Sequence, residues 1–124
     1  MTTSVRRPVR TTPLARRSVG DPPLRREWEA YILRATHLLP HYKHVALTVA
    51  SHADYVTGLV PEQAPVGHGD LMDQTGLADY QVIGAVRALE TRCLIATTGG
   101  RITRLALSLS SLALIRKTLH EGTR

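Results

Sequence analysis

"LMDQTGLADYQVIGAVRALETRCLI", residues 71–95, decides the fold. Leu71 and Leu77 bracket Gly76, a residue that takes positive φ without steric cost. Val82 lies six positions beyond the glycine, and Ala85, Val86 and Leu89 follow it at i+3, i+4 and i+7. That spacing draws one apolar stripe along a helix. The stretch therefore predicts a short helix over 69–74, a glycine corner, and a longer helix over 79–92. Two helices crossing steeply at such a corner form a helix-turn-helix.

The flanks agree. After the second helix comes "CLIATTGGRITRLALSL", residues 93–109. Leu94 and Ile95, then Ile102, Leu105 and Leu107, are β-capable runs on either side of Gly99 and Gly100. Two glycines between such runs predict a hairpin, because both turn positions need positive φ. Upstream, Leu24, Trp28, Tyr31, Ile32, Ala35 and Leu38 recur at helical spacing. This first helix is opened by Pro22 or Pro23 and ended by Pro40. A second stripe, Tyr42, Val45, Ala46, Val49 and Ala53, predicts a helix over about 43–53. "DYVTGLVPEQAPVGHG", residues 54–69, reads as a loop holding a very short edge strand at Leu59 and Val60. "SSLALIRKTLHEG", residues 110–122, reads as a last helix with Ser110 or Ser111 as cap and Gly122 as stop. The order is helix, helix, short strand, helix, turn, helix, hairpin, helix, with no internal repeat. The fold class is mainly α with a small β-hairpin wing, a winged helix-turn-helix over 24–108. A disordered arm precedes it over 1–23, and a C-terminal helix over 109–124 packs or dimerises.

Charge is unevenly placed. The chain of 124 residues carries a net charge of +6. Residues 1–26 hold seven arginines (Arg6, Arg7, Arg10, Arg16, Arg17, Arg25, Arg26) against one acid, Asp21. Residues 27–124 hold nine basic and nine acidic groups and balance. The arm also carries Pro8, Pro13, Pro22 and Pro23 and no apolar period, the composition of a disordered segment. Its Arg, Ser and Thr content suits a transit peptide, but the prolines spoil the amphipathic helix that such a peptide needs. No apolar run reaches the ~18 residues of a membrane span, and no apolar stretch follows the N-terminal arginines as in a secretory signal. A single cysteine, Cys93, excludes an intramolecular disulfide and a Cys-rich zinc site, and suits a reducing cytoplasm. It is expected as a small buried residue. Apolar residues make up 43% of the chain, with no Phe, so aliphatic side chains around Trp28 must fill the core.

With "HYKHVALTVASHADYVTGLVP" (41–61), "LMDQTGL" (71–77) and "VIGAVRALETRCLI" (82–95), the chain resembles the winged helix-turn-helix proteins of bacterial, actinobacterial-type mobile elements. These include the replication-initiator and regulator modules of plasmids and phages. The resemblance covers about 24–108. It implies double-stranded DNA binding, with the recognition helix in the major groove and the wing on the backbone or in the minor groove. Where such modules usually carry Ser or Thr before the recognition helix, this chain has Ala78, so Asp79 is expected to cap instead.

On the outward face, Gln81 is the expected base reader, since its amide can pair bidentately with adenine. Arg87 reaches a guanine or a phosphate, Tyr80 donates to a phosphate, and Ile83 presses on a thymine methyl. Gly84 shares that face. Each of the five reads equally well as an ordinary solvent-facing side chain. Arg101 and Arg104 flank the wing tip, where a narrow minor groove attracts cations. Alternatively they are charges that keep a strand edge from aggregating. Arg16, Arg17, Arg25 and Arg26 of the arm neutralise phosphates and give affinity without specificity. His37, His41 and His44, at i, i+4 and i+7, invite a metal, but Pro40 breaks their helix and no thiol or carboxylate joins the spacing. No metal or cofactor is expected. Paired carboxylates, a nucleophile elbow, a phosphate-binding glycine loop and HExxH are all missing, so the chain reads as non-enzymatic.

The leading expectation is a cytoplasmic, nucleoid-associated DNA-binding protein that regulates transcription or replication initiation of a mobile element. Leu112, Ile115 and Leu119 form a stripe that serves either a homodimer or the domain's own core. Two rival readings are a winged-helix module that docks a protein partner and a sequence-indifferent DNA binder working through the arm.

Overall fold

The structure, a computed structural model, describes Leu14 and residues 21–122. Most of the expected arm, Arg16 and Arg17 included, therefore lies outside the described residues. Helices α1 (Leu24–Arg34), α2 (Pro40–Ala50), α3 (His68–Thr75) and α4 (Asp79–Thr91) lead into strands β1 (Ile95–Thr98) and β2 (Arg101–Leu105), followed by α5 (Leu109–Gly122). This is the mainly helical, hairpin-bearing winged helix read from the sequence.

Helix α1 lacks a capping side chain. Loop carbonyls replace it: the Leu24 and Arg25 N–H groups donate to Val56 and Tyr55 at 3.0 and 3.1 Å. The helix stops at Arg34, short of the expected Leu38. Ala35 is extended, with φ −72° and ψ 111°. Beyond it, Leu39 precedes Pro40, whose ring disfavours helical backbone in the residue before it. Ala35 and Leu38 are still buried, so the stripe marked burial correctly while overrunning the helix. Pro40 occupies the first turn of α2, where its missing N–H costs nothing. The second helix thus starts and ends three residues earlier than its stripe suggests.

The core gathers one face of every helix. Trp28 and Ile32 of α1 meet Val45, Ala46 and Val49 of α2, Leu71 of α3, and Val82, Ala85 and Leu89 of α4. Trp28 is fully buried, and its indole N–H donates to the Leu94 carbonyl at 2.8 Å, between α4 and β1.

The two strands pair antiparallel, with Ile95 opposite Leu105 and Thr98 opposite Arg101, and a bulge falls at Ala96/Thr97. Gly99 and Gly100 turn the hairpin at φ +59° and +79°. Leu59 bridges Arg104 on the other edge of β2, flanked by bonds from Val60 N–H to Thr103 O and from Leu105 N–H to Gly58 O. The short strand expected at Leu59 and Val60 is therefore present, as a one-bridge third strand.

Helix α5 begins at Leu109, and its cap lies two or three residues before the expected one. The Ser108 hydroxyl accepts from the Ser111 N–H at 3.1 Å, doing what Ser110 or Ser111 was expected to do. Leu14 bridges the same Ser108. Leu112 and Ile115 are buried and Leu119 packs against the core, so this stripe faces its own domain. Arg116 fastens α5 to α1: its Nε and Nη2 donate to the two carboxylate oxygens of Glu27 at 2.6 and 3.1 Å. Glu27 is buried, and that bond holds the Arg116 guanidinium above its ordinary pKa. No helix of the described residues is long and apolar enough to cross a membrane.

Two outcomes follow for stability. Trp28→Phe keeps an aromatic ring but loses the N–H and leaves a void, and should lower the unfolding free energy by about 2 kcal/mol or more in urea titrations. The Asp54 carboxylate accepts from the Thr57 backbone, the Thr57 hydroxyl and the Val56 backbone at 2.8, 3.0 and 3.1 Å. The Thr57 bonds lead in lowering its pKa from 3.8. A lowered carboxyl pKa stabilises the fold above its ordinary value, and that stabilisation is lost as pH falls through the folded value. Asp54→Asn should therefore lower the urea midpoint at pH 6, and the difference from the unchanged protein should shrink as pH is taken below 3.8.

Candidate nucleic-acid interface

Gly76 makes the corner. Its φ is +74° and ψ 10°, and its N–H donates to Met72 O at 2.9 Å, closing α3. Three residues later α4 starts. Ala78 is the N-cap, not Asp79. An alanine offers no side-chain oxygen, so only the reciprocal half of a capping box forms. The Gln81 amide oxygen accepts from the Ala78 N–H at 2.9 Å.

That bond changes the role expected of Gln81. Its oxygen is occupied within the helix end, and the side chain is half-buried. Bidentate adenine pairing needs both the amide oxygen and the amide nitrogen, so Gln81 reads a base only through the second lone pair of that oxygen or by giving up the cap. Gly84 also leaves the outward face. It is half-buried, and a Cβ built there would stand 4.0 Å from the Tyr42 hydroxyl of α2. The exposed face is narrower: Tyr80, 74% exposed, Ile83, 38% exposed, and Arg87.

Ile83 and Arg87 share a cleft of about 450 Å³ with Arg101 of the wing. Its floor holds Leu71 and Ile102, both buried. Glu90 also lines it and accepts from the Thr97 hydroxyl at 2.6 Å, tying α4 to β1. Arg101 leans across the rim, with one guanidinium nitrogen 3.4 Å from Pro61 O and 3.5 Å from Glu62 O. Arg104 is exposed toward the far end of β2 rather than at the tip.

The remaining arginines belong elsewhere. Arg25 is part of folded α1, bonded to Glu29 at 2.8 Å and lying 5.8 Å from the Tyr55 ring centroid. Arg26 is exposed on the same helix, beside a groove it shares with Asp21, Glu27 and Arg116. Neither extends a free arm. His37 stands edge-on to Tyr31, and His41 to Tyr42. Among the described residues, no group of three His, Cys, Asp or Glu side chains could hold a metal ion.

Sequence reasoning missed two features. His68, at the start of α3, bonds through Nε2 to the Asp79 carboxylate and thereby links the front ends of α3 and α4. Eleven positions separate them, a spacing that signals nothing. Cys93 is half-buried and adopts φ +58°, a left-handed conformation that a helix end usually gives to glycine. Its N–H donates to Glu90 O and that of Leu94 to Leu89 O, which completes a Schellman motif. Its backbone, more than its side chain, sets where the wing leaves α4.

No family model matches the chain, and no curated protein or solved structure matches it significantly.

If Gln81 serves the helix end, Gln81→Ala should lower the thermal midpoint of the free protein, costing about 1 kcal/mol, the usual worth of a cap. Gln81→Glu should restore most of it, since a carboxylate can accept the same N–H.

Proposed function

We propose that the chain is a DNA-binding protein that lays α4 in the major groove and so regulates transcription or replication initiation on a mobile element. The observation that carries this reading is the exposed run Tyr80, Ile83 and Arg87 on a helix held beside a hairpin. A helix with its side chains is about 10–12 Å across, the width of that groove. Ile83 meets a thymine methyl and Arg87 a guanine edge or a phosphate. Arg101 follows the backbone from the wing. The arginine-rich N-terminal stretch neutralises phosphates and supplies most of the affinity.

A second reading has its own support. Asp70 and Asp79 sit in the first turns of α3 and α4, and Asp73 and Glu90 lie further along the same helices. Four carboxylates on the two helices of the motif suit a basic protein partner better than a polyanion.

Salt titration separates the readings. The full chain should bind duplex DNA with a steep log–log salt slope. Replacing Arg6, Arg7, Arg10, Arg16 and Arg17 by Gln should flatten that slope by about 4. Ile83→Ala and Arg87→Ala should each cost about 1–3 kcal/mol on a selected sequence and little on random DNA. Absence of affinity at low salt would hand the surface to a protein partner. Equal affinity for every sequence, unmoved by either substitution, would leave a sequence-indifferent binder working through its arginines.

A further inference from the structure

On the side built by α1 and α5, a half-open groove of about 480 Å³ runs between the end of α1 and the middle of α5. Ile115 and Ala35, 2% and 7% exposed, form its floor, and Leu114, 59% exposed, forms one wall. Leu114 is an aliphatic side chain left in water beside an apolar trough.

The polar lining has one sign. Arg34 and His37 are its titratable bases, hydroxyls come from Tyr31, Thr36 and Thr118, and no carboxylate lines it. Arg34 gives one guanidinium nitrogen to Ala30 O of its own helix at 3.2 Å, which steadies the fork while other N–H groups remain to donate. The Thr118 hydroxyl is turned inward to Leu114 O at 3.0 Å. An apolar trough with a guanidinium in its lining matches a ligand with a hydrocarbon body and an anionic head. Its size falls within the ~300–1,000 Å³ of small-molecule sites.

We propose that this groove binds a small apolar carboxylic acid, of the medium-chain fatty acid class. The chain lies on Ile115, Ala35 and Leu114, and the carboxylate pairs with Arg34. A carboxylate on a guanidinium gains two parallel hydrogen bonds in favourable geometry, which a neutral alcohol cannot form. Arg34, rather than the hydroxyls, therefore sets the preference for an anion. This inference stands apart from DNA binding, because none of its residues lies on α4 or the wing.

Octanoate is the probe, titrated into the full-length protein and followed by backbone amide shifts of Thr36 and Thr118 and by calorimetry. Saturable binding below about 1 mM is expected, with 1-octanol at least about tenfold weaker. Arg34→Gln should weaken octanoate about tenfold and leave octanol unchanged. Leu114→Asp, at an exposed position that does not threaten folding, should abolish binding by placing a carboxylate on the wall. Tyr80→Ala, on α4 and outside the groove's lining, should leave it intact. No saturation, equal affinity for octanol, or octanoate affinity unchanged in Arg34→Gln or Leu114→Asp would each overturn the assignment.

Discussion

The peptide of Leu94 holds the molecule together. Its carbonyl accepts twice, from the Trp28 indole at 2.8 Å and from the Ala106 N–H at 2.9 Å. Its N–H donates to Leu89 O at 2.9 Å. The backbone of this one buried residue therefore joins the first helix, the last turn of α4 and the chain leaving the wing. With both carbonyl lone pairs used and no water to replace a lost partner, each of these bonds matters more than its average worth of about 1 kcal/mol. The direction in which the wing departs follows from this arrangement. Cys93 must turn left-handed for Leu94 to reach back to Leu89, and that turn sets β1 beside α4 instead of continuing it. The face of α4 that remains in water is what the core and this junction do not cover.

The corner and the hairpin were legible because each depends on local backbone chemistry. Gly76, Gly99 and Gly100 stand at positive φ, and the stripe from Val82 to Leu89 had one helical solution. Helix ends were less legible. Apolar periodicity reports burial, and burial runs past the last hydrogen-bonded turn: Ala35 and Leu38 are core residues outside α1. The Schellman turn carried no glycine to announce it. Ser108 caps α5 although Ser110 and Ser111 offered the same chemistry two and three residues later. Three neighbouring serines leave the choice to tertiary packing.

The exposed face of α4 was legible in outline, and its detail depends on contacts that a helical wheel does not show. A wheel places Gln81 and Gly84 within reach of the exposed arc; α2 covers one of them and the helix start engages the other. Tyr42 faces Gly84, and the unsatisfied N–H of Ala78 claims the Gln81 oxygen. Alanine at the cap and glutamine three residues on are thus one solution, in which the second residue supplies the oxygen that the first lacks. Contacts between distant parts of the chain leave no spacing to read. Glu27 and Arg116 lie 89 positions apart, yet their paired bonds fix α5 against α1. The stripe of Leu112 and Ile115 looked equally suited to a partner helix until that fastening turned it inward.

Charge placement divides the labour on the proposed reading. Residues 27–124 carry no net charge, while the N-terminal 26 carry all of the excess. A neutral domain gains little from approaching a polyanion, and Asp79 near the start of α4 opposes a phosphate at the helix end that would otherwise attract one. The α4 face then contributes discrimination more than affinity, because Tyr80 and Ile83 gain only where shape and methyl groups match. The N-terminal cations contribute affinity without discrimination. On that reading affinity would follow how little salt competes for the phosphates, and choice among sequences would rest on a few apolar contacts, Ile83 first, whose worth hardly changes with salt.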